Sequence, residues 1–255
     1  MSGGCVIHDL IVEGNIHSDY KMAGGIISYI EKGDWDHVNT VNLSRCTSNV
    51  HFFLGKNGDA MSGGLVAFSD EYVQLTVNDC LFSGSYSGSN CTHLSGIVGY
   101  QAIYGYTYIE NCYVNPTDLT IPHDDNNRNL CRYSHKDCFK ESNCYYSATA
   151  SGFDDDQGDY VSSSNNADWV ANQLGYWTVA NDRAVPMTLD MVAPNCTLFK
   201  GFTVSSYFIP NNDNDNHDDQ GVAKLVDSDR ASTWCISYPY YMHNLTILMI
   251  IISLH

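Results

Sequence analysis

The chain has 255 residues and a net charge of −17, from 12 Lys+Arg against 29 Asp+Glu, and only 16% of its residues are charged. An acidic surface of this kind repels phosphate backbones, which argues against nucleic acid as a partner. Gly, Ser, Asn and Tyr fill the places left by strong helix formers, which argues against a helical bundle and for an all-β, turn-rich fold. The length allows one large domain or a domain with a small companion.

The opening Met1-Ser2-Gly3-Gly4-Cys5-Val6-Ile7 has no basic n-region followed by an apolar h-region, so no secretory signal is read there. Ile7-His8-Asp9-Leu10-Ile11-Val12 is the first copy of a pattern that returns as Leu43-Ser44-Arg45-Cys46-Thr47, Val77-Asn78-Asp79-Cys80-Leu81, Ile109-Glu110-Asn111-Cys112-Tyr113 and Ser142-Asn143-Cys144-Tyr145. Cys80, Cys112 and Cys144 stand 32 residues apart, Cys46 precedes Cys80 by 34, and Leu10 takes the cysteine slot in the first copy. Between these copies lies a second signature: Ala23-Gly24-Gly25-Ile26-Ile27, Ser62-Gly63-Gly64-Leu65-Val66 and Leu94-Ser95-Gly96-Ile97-Val98-Gly99.

Two interleaved signatures at one period mean a repeat architecture. Each unit supplies short strands that cannot bury an apolar face alone. Stacking the units pairs every strand with its copy about 4.8 Å away. The expected fold is therefore a parallel β-solenoid over residues 1–147, right-handed by the usual preference of parallel crossovers. The repeat positions Gly24, Gly25, Gly63, Gly64, Gly96 and Gly99 are expected at corners or at close approaches of the chain. Cys46, Cys80, Cys112 and Cys144 are expected as buried free thiols in an inward ladder, because stacked Cβ vectors run parallel and fit a disulfide badly. The 39-residue step from Gly25 to Gly64 and the segment Pro122 to Lys140 break the period, so loops are expected to bulge there. Cys131 and Cys138 fall in that segment, where pairing and free thiols both remain open. None of the ten cysteines forms a CxxC pair, so no zinc site is expected.

The paired signatures look like the GLUG repeat of secreted and surface proteins of gut and oral bacteria. The resemblance covers roughly residues 5 to 150. It implies a β-helical scaffold and carries no catalytic residues to transfer.

Residues 148–194 change character. Ala167 to Leu174 is the one credible helix, with Gly175 as its stop, and Tyr176 to Val179 with Val185 to Met187 forms a last strand pair. In GLUG-type proteins a segment of this kind closes the solenoid, covering the final rung and its free backbone groups. Residues 195–255 are a separate piece. The loop Asn211 to Asp219 fails as an EF-hand, with Asp218 at the glycine position and Lys224 where the closing Glu belongs. Leu225, Val226, Asp227, Asp229, Thr233 and Trp234 are similar to the opening of discoidin-like (coagulation-factor type C) domains, with Ser228 in place of the usual glycine. Only 20 residues follow Cys235, too few for such a sandwich, so this piece is expected to be truncated or disordered. The apolar run Leu245 to Leu254 is about half the length of a spanning helix, so no membrane span is expected. The repeat is already under way at Cys5, so the chain reads as a fragment of a longer protein.

The expected function is that of a non-catalytic surface or secreted scaffold or adhesin, monomeric or part of a longer chain, with no cofactor and with a glycan or host surface protein as partner. Tyr104, Tyr106, Tyr108 and Tyr113 are candidates to stack on sugars, or else they fill strand faces. The alternatives are a β-helical lyase or glycosidase and a spacer within a surface peptidase. For an enzyme, composition offers Asp9, Asp59, Asp79 and Glu110, but Asn111 breaks the carboxylate pair that Asp79 would need. No HExxH or Gly-x-Ser-x-Gly occurs, and the histidines are scattered singly.

Overall fold

The computed structural model describes residues 4–188 apart from gaps at 19–21, 56–60, 89–92, 122–124, 148, 154–156 and 163–165, and beyond 188 the backbone of four short strands. Residues 4–147 wind as a β-solenoid of about four turns. The first coil holds β1 (Gly4–His8), β2 (Ile11–Ser18), β3 (Met22–Gly24) and β4 (Ile27–Ile30). The second holds β5 (Asn39–Ser44), β6 (Thr47–Leu54), β7 (Met61–Gly63) and β8 (Val66–Ser69). The third holds β9 (Val73–Asn78), β10 (Leu81–Phe82), β11 (Ser85–Ser87), β12 (Leu94–Ser95) and β13 (Val98–Gln101). The fourth holds β14 (Tyr106–Glu110), β15 (Tyr113–Val114), β16 (Asp118–Thr120) and β17 (Cys131–Tyr133), and a partial fifth opens with β18 (Phe139–Ser142) and β19 (Tyr145–Tyr146).

Every strand pairs in parallel with its copy. One face is β1-β5-β9-β14-β18 and another is β4-β8-β13-β17. The period-two alternation of these strands sends one set of side chains inward. In β9 that set is Val73, Leu75 and Val77, all buried, while Gln74 stays exposed. The inward ladder Ile7–Leu43–Val77–Ile109 ends at Glu141, while the core continues past it through Cys144, Tyr146, Ala150 and Phe153.

The repeated glycines are close approaches. An added Cβ at Gly64 would overlap the Phe82 ring and the Gly96 carbonyl, and one at Gly96 would overlap Val114 and the Asn129 carbonyl. The wall carrying Gly25, Gly64 and Gly96 is bare so that Ser48, Phe82 and Val114 from the facing wall can fill the interior. These glycines also stand at bends, between β3 and β4, β7 and β8, and β12 and β13, where the chain passes from one sheet to the next with ordinary φ values. The left-handed corners belong to Asp9, Arg45, Asp79, Asn111 and Asn143, at φ between 50° and 54°.

The segment Pro122 to Lys140 corrects the expected bulge. Within it β17 pairs in register with β13, Val98 opposite Cys131, and Arg128 bridges Ser95. One extra residue is absorbed as a register shift between Val98 and Gln101. Cys131 is therefore a fully buried rung residue, and Cys138 lies in a single 3₁₀ turn (Lys136–Cys138) at the next corner. Neither is bonded, and Cys5, Cys46, Cys80, Cys112 and Cys144 are free as well.

Residues 149–188 do two jobs. At the end of the solenoid, β20 (Asp159–Tyr160) adds a last parallel rung to β19. Beside it, the Gln157 side chain acts as a substitute strand: Oε1 accepts from the N–H groups of Leu130 (3.1 Å) and Cys131 (2.8 Å), and Nε2 donates to the Cys131 carbonyl (2.7 Å). The edge that would otherwise invite another strand is thereby satisfied. The helix α1 (Ala167–Leu174) and the hairpin β21 (Trp177–Ala180)–β22 (Arg183–Pro186) lie elsewhere, against the outer face. Val170, Leu174, Trp177 and Ala184 cover Leu81 and Tyr113, so the clasp reaches back along the side of the solenoid beyond the final rung. Asn166 caps α1 by accepting from Trp169 N–H at 3.0 Å, and Gly175 ends it at φ 82°. Asn181 and Asp182, both left-handed, make the tight hairpin turn.

Beyond 188, β23 (Phe202–Thr203) pairs antiparallel with β26 (Leu248–Met249), and β24 (Gln220–Leu225) with β25 (Trp234–Pro239). Leu225 and Trp234 face each other across the second pair. Val226, Asp227, Asp229, Thr233 and the loop Asn211 to Asp219 lie outside the described residues.

Candidate functional site

The residue before each ladder slot forms one corner column: Asp9, Arg45, Asp79, Asn111, Asn143. The left-handed conformation explains the prevalence of Asn and Asp, whose short polar side chains tolerate it best. The same side chains bond along the column. Asn143 Nδ2 donates to Asn111 Oδ1 at 2.8 Å. Arg45 forks onto Asp9, with Nε to Oδ1 at 2.7 Å and the terminal nitrogen to Oδ2 at 2.8 Å, and His8 Nδ1 approaches the same Oδ2 at 2.6 Å. The buried Asp9 charge is thus matched in a two-pronged pair, and the pair holds the Arg45 guanidinium above its ordinary value.

Asp79 is in a different position. It is 5% exposed, and burial pushes its carboxyl up to about 6. The Trp177 indole and the Arg45 guanidinium oppose that rise, while Cys80 and Glu110 add to it. A raised carboxyl beside a second one is a general-acid signature in an open cleft. Here Trp177 of the clasp lies beside it, packed with Leu81 and Tyr113. Asp59 lies outside the described residues, and Glu110 is half-buried on β14.

The cysteine ladder is closed to chemistry. Cys46, Cys80 and Cys112 have no exposed surface, Cys144 almost none, and the Cys112 Sγ points at the Glu110 carbonyl at 3.2 Å. Burial pushes the Cys112 and Cys131 thiols well above the usual range, so they stay protonated. The histidines take local partners: His17 stacks on Phe53 (4.4 Å), His37 Nδ1 meets Asp34 (3.0 Å) and His51 Nδ1 meets Ser85 Oγ (2.8 Å). Among the described residues, no group of three or more His, Cys, Asp or Glu is placed to hold a metal, and no helix is long and apolar enough to cross a membrane.

Of the four tyrosines expected to meet sugars, Tyr113 is buried under the clasp at 6.5 Å from Trp177, and burial pushes its hydroxyl up to about 12. Tyr106 and Tyr108 are half-buried on β14. Tyr104 alone of the four is exposed, and its ring stacks on Tyr72 at 5.4 Å. A separate column, Tyr29–Phe68–Tyr100, runs up the neighbouring face at 5.6 Å per step.

Sequence reasoning missed Trp35, which is 82% exposed at a turn tip on the same corner as Tyr72. An indole set between two acids, Asp34-Trp35-Asp36, is the signal that would have found it. No family model, curated protein or solved structure matches the chain.

Proposed function

We propose that the chain is a non-catalytic scaffold or adhesin module of a surface or secreted bacterial protein, built on GLUG-type coils and presenting a lateral surface to a glycan or a host protein. One observation carries this: side chains at equivalent positions of neighbouring coils engage one another at the first and last corners, and the cysteine slots are buried. Asn111 bonds Asn143, Asp9 is locked by Arg45, and the cysteine column is sealed. Repeated side chains that satisfy one another build a rod and leave function to the positions that vary between coils. The discoidin-like residues Leu225 to Trp234 would contribute a further binding element.

A second reading, a β-helical lyase or glycosidase, draws on Asp79, raised to about 6 with Glu110 nearby. It needs the clasp to leave Asp79, since Trp177 packs into the seam there.

Protease shaving of intact cells that carry the gene tests the first reading. Release of peptides from residues 4–147 under conditions that spare cytoplasmic proteins is expected. Retention of the chain inside the cell overturns surface display. Cleavage of a polysaccharide by the purified chain, lost on Asp79→Asn, would replace the scaffold reading by the enzymatic one.

A further inference from the structure

Two aromatic columns run side by side along the solenoid, and they end differently. In the first, Tyr29, Phe68 and Tyr100 stack, and the next coil places the Arg132 guanidinium 5.3 Å from the Tyr100 ring centroid. The column is closed by a cation on the last ring face. The second column lies at the adjoining corner, where Tyr72 and Tyr104 stack at 5.4 Å with their planes 16° apart. Tyr104 is 63% exposed, and Arg132 on Tyr100 is the one cation over a ring among the described residues.

On the other side of Tyr72, the loop at 31–38 folds against the same corner. Gly33 N–H donates to the Glu71 carbonyl at 3.0 Å, and Asn39 N–H to the Tyr72 carbonyl at 3.1 Å. Asp34 and His37 exchange backbone hydrogen bonds at 2.9 and 3.1 Å, which leaves Trp35 and Asp36 as the tip of a tight turn. The Asp34 carboxylate pins that turn, accepting from Asp36 N–H at 2.9 Å. The indole is therefore held out in solvent by a fixed backbone, 82% exposed. Asp36 stands exposed beside it, and Glu71 has only a loose counter-ion in Lys32 at 3.9 Å.

We propose that this corner, Trp35 with the Tyr72–Tyr104 stack, is a docking site for a basic segment of a partner protein, whose arginine or lysine side chains lie on the open ring faces and against Asp36 and Glu71. The proposal rests on the scaffold reading and names the partner class. Charge selects it: a chain of −17 attracts basic segments over distance, and the aromatic faces give them a place to stop. A guanidinium needs one ring face and a carboxylate, and the exposed Trp35 indole with Asp36 beside it offers both. The molecule already uses that pairing internally, with Arg132 on Tyr100. Exposed Trp and Tyr on a rigid support are also the side chains that dominate protein contacts.

The test is calorimetric titration of the full chain with an arginine–glycine repeat peptide at fixed ionic strength, with cellohexaose as a neutral glycan probe. Trp35 and Tyr104 are exposed, so the double variant Trp35→Ala/Tyr104→Ala keeps the fold and the net charge. It is expected to bind the peptide about tenfold more weakly, from two exposed cation–ring contacts. Unchanged affinity in that variant would mean attraction by bulk charge alone and overturns the site. Binding of cellohexaose but not the peptide, lost in the same variant, overturns the partner class and leaves the scaffold reading standing. If the wild-type chain binds neither probe, the docking site itself is overturned.

Discussion

The indole Nε1 of Trp177 and the Oδ1 of Asp79 are both buried in the seam between the lateral clasp and the third coil, where the indole favours the charged carboxylate but neither atom meets a partner in full hydrogen-bonding geometry. At the equivalent corners of the next two coils the residue is Asn111 or Asn143, which carries no charge and bonds along the column. Asp79 is the one member of that run whose ionisation works against its surroundings.

Replacing it should therefore stabilise the chain. The folded value, about 6, lies above the ordinary 3.8, so the group favours the fold fully below pH 3.8 and loses that contribution as pH rises through about 6. Asp79→Asn is expected to raise stability at pH 7.5 by about 1–2 kcal/mol, the full shift being discounted for relaxation of the seam around the charge. Denaturant midpoints from pH 4 to 8 check this. The wild-type midpoint should fall relative to the variant's between about pH 4 and 6, the interval between the two values; parallel curves would contradict it.

Gly64→Ala should cost about 3 kcal/mol, because the added methyl meets both the Phe82 ring and the Gly96 carbonyl. Removing the ring does not help, since the carbonyl is backbone. The double variant Gly64→Ala/Phe82→Ala is therefore expected to be less stable than either single variant. Recovery in the double variant would show that the ring alone forbids a side chain there.

Gln157→Ala strips the end of the solenoid of its substitute strand. The N–H groups of Leu130 and Cys131 lose their acceptor, at about 1–3 kcal/mol for buried donors left without a partner. Hydrogen exchange should accelerate at residues 130 and 131 and stay slow at Cys80 and Cys112 in the middle of the rod. Uniform acceleration would contradict a local capping role.

The ladder thiols should be inert. A charged maleimide added to the native chain is expected to leave Cys46, Cys80, Cys112 and Cys144 unlabelled until denaturant unfolds it, since the column is sealed. Rapid native labelling at Cys80 or Cys112, mapped by mass spectrometry, would contradict this burial.

The solenoid and its cysteine ladder were legible because the interior slots keep their residue type from coil to coil, as from Cys80 to Cys112 to Cys144. The fourth coil was harder to read. Arg128 and Asn129 stand where Ser95 and Gly96 stand one coil earlier, so the glycine signature vanishes although the backbone continues in register. Cys131 accordingly looked like a loop residue while occupying the slot of Val98. The lateral clasp was hidden for another reason. Leu81 and Tyr113 alternate as ordinary strand residues, and nothing local says that the outward ones among them will be covered by Trp177 and Leu174. Trp35 carries no repeat signal because the connection from Ile30 to Asn39 is longer than the equivalent one from Ser69 to Val73.

The central claim is that successive coils stack in parallel and in register, and the most direct measurement is the distance between nitroxide labels at Thr76 and Lys140. Both positions pair with Tyr108, one from each side, so their backbones lie two rungs apart, about 10 Å. A dipolar coupling corresponding to about 10 Å, preserved in the Asp79→Asn variant, is the predicted result. A separation beyond about 20 Å, several rung spacings, would contradict the stacking and the scaffold built on it.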